Sequence, residues 1–195
     1  MRRLFFPLLV FALGAAAVSI TAILTFGPGA RTGQQATSAV GGPFTLTDMN
    51  AKPFSNTDLA GAPFVVFFGF THCPDICPTK LFEMSEVLRE AGARGTKLRA
   101  LFISVDPERD TPEILKSYLG SFDPRIIGLT GSSADIAAIT KAYRAYAKKV
   151  PLKDGDYTMD HTALVYLMDR KGLFIGALNL ERPPAQAAQE WLKHL

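Results

Sequence analysis

Residues 64–78 read FVVFFGFTHCPDICP, and the fold turns on how this stretch divides. Phe64 to Gly69 is an apolar run without polar alternation, the pattern of a strand buried on both faces of a sheet. Two cysteines and two prolines follow at once. From Cys77 to Ala91 apolar residues then recur at Leu81, Met84, Val87 and Leu88, one stripe at helical spacing. A buried strand that runs straight into an amphipathic helix is half of a βαβ unit, and the cysteines stand at its turn.

Before this stretch, PFTLTDMNAKPF reads as two short strands around a turn at Asp48 to Ala51. Further strands are expected at Leu98 to Val105, Ile126 to Leu129, Thr162 to Met168 and Leu173 to Leu178. Thr111, Pro112 and Glu113 are an N-cap, a first-turn proline and a first-turn acid for a helix to Leu119. Ser132, three residues before Asp135, starts another that is expected to reach Tyr146. A last helix is expected from Pro184 to His194. The order is hairpin, β, α, β, α, β, α, β, β, α, and the short link Asp169 to Gly172 makes the two closing strands antiparallel. This is the outline of an α/β thioredoxin-like domain: a central sheet flanked by helices, with an N-terminal β-hairpin.

Composition narrows the function. The formal charge of +3 is carried by Arg2, Arg3 and Arg31, and the rest of the chain is balanced. Neither a basic run nor a phosphate-cradling glycine loop appears, so a nucleic-acid partner is set aside. Leu4 to Phe26 carries no charge. As a helix it is roughly 34 Å long, enough for the ~30 Å hydrocarbon core. With Arg2 and Arg3 before it, residues 1–26 are expected to be a cytoplasmic start and transmembrane anchor rather than a cleaved signal peptide. Residues 27–42, GPGARTGQQATSAVGG, then form a flexible tether with a reach of roughly 22 Å. Residues 43–195 form the domain.

The chemistry rests on few residues. Cysteines four apart on a helix share a face, so Cys73 and Cys77 can chelate a soft metal when reduced or close on each other when oxidised. Pro74 and Pro78 belong in a first turn, which sets sulfur near the positive end of the helix dipole, where a thiolate is favoured. An inert structural disulfide is the rival reading, but so short a loop restrains the unfolded chain little. His161, in YTMDHTALVYLM, stands immediately before a strand; in a thioredoxin-like fold that position lies against the cysteine turn, where redox members carry a proline. Two thiolates and an imidazole form a sulfur-rich set suited to Cu(I), with zinc as the main competitor. Asp160 either orients His161 or caps a turn. Asp106 is expected to line the site, and Asp110 to serve the strand-end turn and helix cap. His72 is expected to point away from the sulfurs.

FFGFTHCPDICP, SVDPERDTPE and YTMDHTALVYLMDRKG, in that order and at these separations, resemble the Sco/SenC family of cytochrome c oxidase assembly proteins. The resemblance covers about residues 42–195, with the anchor and tether also similar in layout. It implies a peroxiredoxin-related thioredoxin-like domain holding one copper, Cu(I) or Cu(II), on Cys73, Cys77 and His161. It further implies a role in building the CuA centre of oxidase subunit II, supplied by a copper donor protein. The domain would face the periplasm in a bacterium or the intermembrane space in a mitochondrion. Two other functions fit the motif. One is a thiol-disulfide reductase using Cys73 and Cys77 to keep the acceptor's cysteines reduced. The other is a peroxidase, since FTHCP is similar to the peroxiredoxin cysteine turn, although no activating arginine adjoins it.

Overall fold

The computed structural model of the chain describes residues 40–153 and 155–195. The anchor expected over residues 1–26 and tether residues 27–39 lie outside the described residues. Among the described residues, no helix is long and apolar enough to cross a membrane. Val40 packs against the core, and the Gly41 N–H donates to the Ala142 carbonyl at 2.9 Å. The folded part therefore reaches back to Val40.

Strands β1 (Thr45–Asp48) and β2 (Pro53–Ser55) form the expected hairpin. They are followed by β3 (Phe64–Gly69), helix α1 (Ile76–Ala91), β4 (Arg99–Ser104), α2 (Pro112–Leu119), β5 (Ile126–Thr130) and α3 (Ser133–Ala142). Then come β6 (Ala147–Pro151), β7 (Tyr157–His161), β8 (Val165–Met168), β9 (Phe174–Ala177) and α4 (Pro184–Leu192). Seven strands form one sheet in the order β2-β1-β5-β4-β3-β8-β9. β3, β4 and β5 are parallel neighbours, while β1 on β5, β8 on β3 and β9 on β8 run antiparallel. All of β3 and all but the first residue of β4 are buried. That requires cover on both faces, hence the uniformly apolar FVVFFG.

Local signals set the helix starts as the residue types demand. The Thr111 hydroxyl accepts the Ile114 N–H, and Ser132 and Asp135 form a capping box. Two expectations are corrected. Helix α3 stops at Ala142, not Tyr146. Beyond its C-cap Tyr143, Arg144 takes a left-handed φ of 52°, with the Ala145 N–H on the Thr140 carbonyl and the Arg144 N–H on the Lys141 carbonyl. This Schellman termination is usually signalled by glycine, and an arginine at the left-handed position hides it from a sequence reader. The chain then enters β6, which among the described residues pairs only with β7, as a separate two-stranded sheet. His161 is thus the last residue of that extra hairpin rather than the residue immediately before a strand of the seven-stranded sheet, and β8 begins only at Val165.

Replacing Arg144 by glycine removes a left-handed β-carbon that costs about 1 kcal/mol. The Arg144→Gly protein should therefore unfold at slightly higher urea concentration, by up to about 0.6 kcal/mol after the entropy of the new glycine is set against it. A lower midpoint would mean that the arginine side chain holds the turn.

Candidate metal centre

The C-terminal end of β3 delivers the cysteines. Cys73 lies in the turn before α1, outside the helix, and its sulfur accepts the Cys77 N–H at 3.4 Å. The expected picture of both cysteines on one helix is thereby corrected: α1 begins at Ile76, so Cys77 and Pro78 sit in its first turn and Cys73 and Pro74 precede it. Both thiols are free and buried. Cys77 is fully enclosed, and burial pushes its thiol well above the usual range, against the expectation of a dipole-favoured thiolate at that position.

Gly69 makes the room for that sulfur. A β-carbon there would come within 2.9 Å of the Cys77 Sγ and 2.5 Å of the Phe102 ring. The last residue of β3 is therefore a glycine because the Phe102 ring and the sulfur together occupy the space.

His161 arrives from the other side. Its Nε2 lies 3.6 Å from the Cys77 Sγ, across 84 residues of sequence. Its Nδ1 lies 3.1 Å from the Thr162 carbonyl oxygen. A carbonyl can only accept, so Nδ1 carries the proton and Nε2 presents its lone pair to the sulfurs, the tautomer a ligand needs. The imidazole is walled by Phe70, ring centroids 5.7 Å apart and nearly perpendicular, and by Phe67 at 6.2 Å. The ligand atoms of Cys73, Cys77 and His161 all lie within 4.8 Å of one another, and among the described residues this is the one such cluster.

The other residues singled out from the sequence lie elsewhere. Asp160 is exposed. Successive strand side chains alternate faces, so it points away from His161, and the imidazole's second nitrogen is served by Thr162 instead. Asp106 is engaged behind the three candidate ligands: one carboxylate oxygen accepts the Tyr157 hydroxyl at 2.9 Å and the other takes Arg109 Nε. Asp110 is not the helix cap, a role taken by Thr111. It is fully buried and accepts the Thr71 N–H at 3.0 Å, the Thr71 hydroxyl at 2.6 Å and the Ser104 hydroxyl. It thus locks the turn two residues before Cys73. The half-exposed His72 contacts the Thr71 hydroxyl. Reading the sequence did not single out Gly69, Phe67 or Tyr157. A glycine closing an otherwise bulky apolar strand was the one available signal, since such a glycine often marks a close approach.

The model of the SCO1/SenC family matches residues 32–195. The chain belongs to the SCO1/SenC family. Protein SCO2 of Saccharomyces cerevisiae, a mitochondrial protein, is 45% identical over 143 residues, which are 72% of this chain and 48% of that protein. The chain thus spans about half the length of this relative. A structure of Bradyrhizobium japonicum ScoI with copper bound is 59% identical and has a TM-score of 0.78, covering 80% of this chain and 99% of that one. Yeast Sco1 with copper bound is 39% identical, with a TM-score of 0.72 over 80% of this chain and 87% of that one.

The packing around Gly69 is directly testable. Gly69→Ala forces a β-carbon against the sulfur and Phe102 and should cost about 1–3 kcal/mol. Chemical denaturation measures it, and an unchanged midpoint would show that the cavity yields freely. The same variant should expose Cys77 to alkylation faster than in the unaltered protein, where Cys73, at 9% exposure, is expected to react before Cys77, at 0%.

Proposed function

We propose that this SCO1/SenC domain binds one copper ion through Cys73, Cys77 and His161 and hands it on during assembly of the CuA centre of cytochrome c oxidase subunit II. The observation that carries the reading is the mutual approach of two sulfurs and one imidazole nitrogen to within 4.8 Å. That is close enough for one ion to meet all three after small side-chain adjustments. Two sulfurs favour copper over harder ions, and copper occupies the solved Bradyrhizobium and yeast relatives. A three-ligand set leaves room for an incoming ligand, which suits an ion that is cargo. The identity of the acceptor and the need for a copper donor protein follow from the family resemblance. The same resemblance, with the apolar stretch Leu4 to Phe26 behind Arg2 and Arg3, supports a membrane-anchored domain facing the periplasm or, in a mitochondrion, the intermembrane space.

A second reading, a thiol-disulfide reductase acting on the acceptor's cysteines, draws on the two free thiols, one of them accepting the other's N–H. Substituting His161 separates the two, because a dithiol reductase works without the imidazole.

Copper titration of the protein should saturate near one equivalent, and Cys73→Ala, Cys77→Ala and His161→Ala should each weaken retention sharply. Saturation at one equivalent in all three variants would reject the site. The pH dependence has a definite sign. Burial keeps Cys77 protonated at neutral pH, so loading must expel that proton, and apparent affinity should climb about tenfold per pH unit for each thiol proton released. A flat profile between pH 6 and 8 would mean that Cys77 keeps its proton and is not a ligand.

A further inference from the structure

The segment 104–110 touches both halves of the site. At one end Asp110 holds Thr71, just before Cys73. At the other, Asp106 and Arg109 reach the β6–β7 hairpin, which ends in His161. Among the described residues that hairpin is bonded into no other strand, and a lone two-stranded sheet is marginally stable in water. Its lie is therefore set by what its side chains grip on the body of the domain. Residues 157, 159 and 161 share one face of β7. Met159 packs against the core and His161 against Phe67 and Phe70.

Tyr157 carries the polar grip. Its hydroxyl donates to Asp106 at 2.9 Å, and its carbonyl accepts from Arg109 Nη1 at 3.0 Å. The Arg109 guanidinium and the Lys149 ammonium each lie 3.7 Å from its ring centroid, a cation–π arrangement. Lys149 is itself paired with Glu108 at 2.8 Å. Asp106 is rigidly seated: it is 2% exposed, its N–H donates to the Ser104 hydroxyl, and its carbonyl accepts from Arg109 and Asp110. Both of its carboxylate oxygens are engaged by Tyr157 and Arg109, so it acts on the site through them and not as a ligand.

We propose that Tyr157, clamped by Asp106 and Arg109, is a positioning residue that sets where the His161 imidazole stands relative to the two sulfurs. The proposal rests on the reading of His161 as a copper ligand. Tyr157 and His161 pair with Pro151 and Ala147, at opposite ends of the two-stranded ladder. Releasing the tyrosine frees the strand to swing about its remaining apolar contacts, and the imidazole moves with it. The cysteine turn, held separately by Asp110, stays in place.

The test uses the full chain, Cu(I) as the probe and bicinchoninate as the competing chelator. Tyr157→Leu removes hydroxyl and ring and should weaken copper retention about tenfold, the scale of losing a partner behind a ligand. Tyr157→Phe removes only the hydroxyl and should cost about three- to fivefold. It also guards against an unfolded variant, since ring and packing remain. His161→Ala should cost more than either, and adding Tyr157→Leu to His161→Ala should change affinity less than twofold, because a positioning residue has nothing left to position. An equal loss from Tyr157→Leu with and without His161 would overturn the proposal, showing that the tyrosine acts on the whole fold. So would unchanged retention in Tyr157→Leu beside a clear loss in His161→Ala. No loss in His161→Ala itself would instead overturn the ligand reading on which the proposal stands.

Discussion

The imidazole of His161 and the sulfur of Cys77 lie 3.6 Å apart although 84 residues separate them. Holding such a contact means paying loop-closure entropy over the whole interval, and two or three ligand atoms could not do so before any metal arrives. The rest of the molecule supplies the closure. The central strands β3 and β4 lie side by side in parallel register, Gly69 opposite Ser104, so the chain leaves both at the same edge of the sheet. The turn after β3 carries the cysteines, and the turn after β4 carries Asp106, Arg109 and Asp110. Two carboxylates, nearly or wholly excluded from water, then divide the labour: Asp110 binds the cysteine turn and Asp106 binds the hairpin of the histidine. Their burial makes these bonds strong, since a buried carboxylate stripped of its donors is costly.

The same enclosure shapes the chemistry. Phe67, Phe70 and Phe102 crowd the sulfur and the ring, so the site is assembled in an apolar wall at the surface end of the core. Burial pushes the Cys77 thiol well above the usual range, which keeps that sulfur from behaving as an exposed nucleophile. The Thr162 carbonyl fixes the imidazole tautomer before any ion is present. The three donor atoms are thus organised in the protein alone, and an ion taking the Cys77 sulfur as thiolate would have to displace its proton.

How much of this was open to a reader of the sequence depends on how local each signal was. The FVVFFG run declared a doubly covered strand, Thr111 and Ser132 declared helix starts through their own caps, and the short link at Asp169 to Gly172 declared an antiparallel pair; all stand in the structure. The end of α3 did not declare itself, because Arg144 occupies a left-handed position that glycine usually marks. With that stop hidden, the expected helix ran on to Tyr146, across the turn that leads into β6. The hairpin bearing the histidine was consequently invisible, and so was Tyr157. Asp106 and Asp110 were noticed but given local tasks, as site lining and helix cap, whereas both bond to residues more than thirty positions away.

The sequence alone determined which side chains could ligate a soft ion and which strand and helix flank the cysteines, because residue chemistry and hydrophobic period are properties of neighbours along the chain. Only the tertiary structure decided that Asp160 faces away from the imidazole, that Gly69 is a glycine to make room for a sulfur, and that one turn grips both halves of the site. Those depend on contacts between segments brought together by a seven-stranded sheet, and no spacing along the chain encodes them.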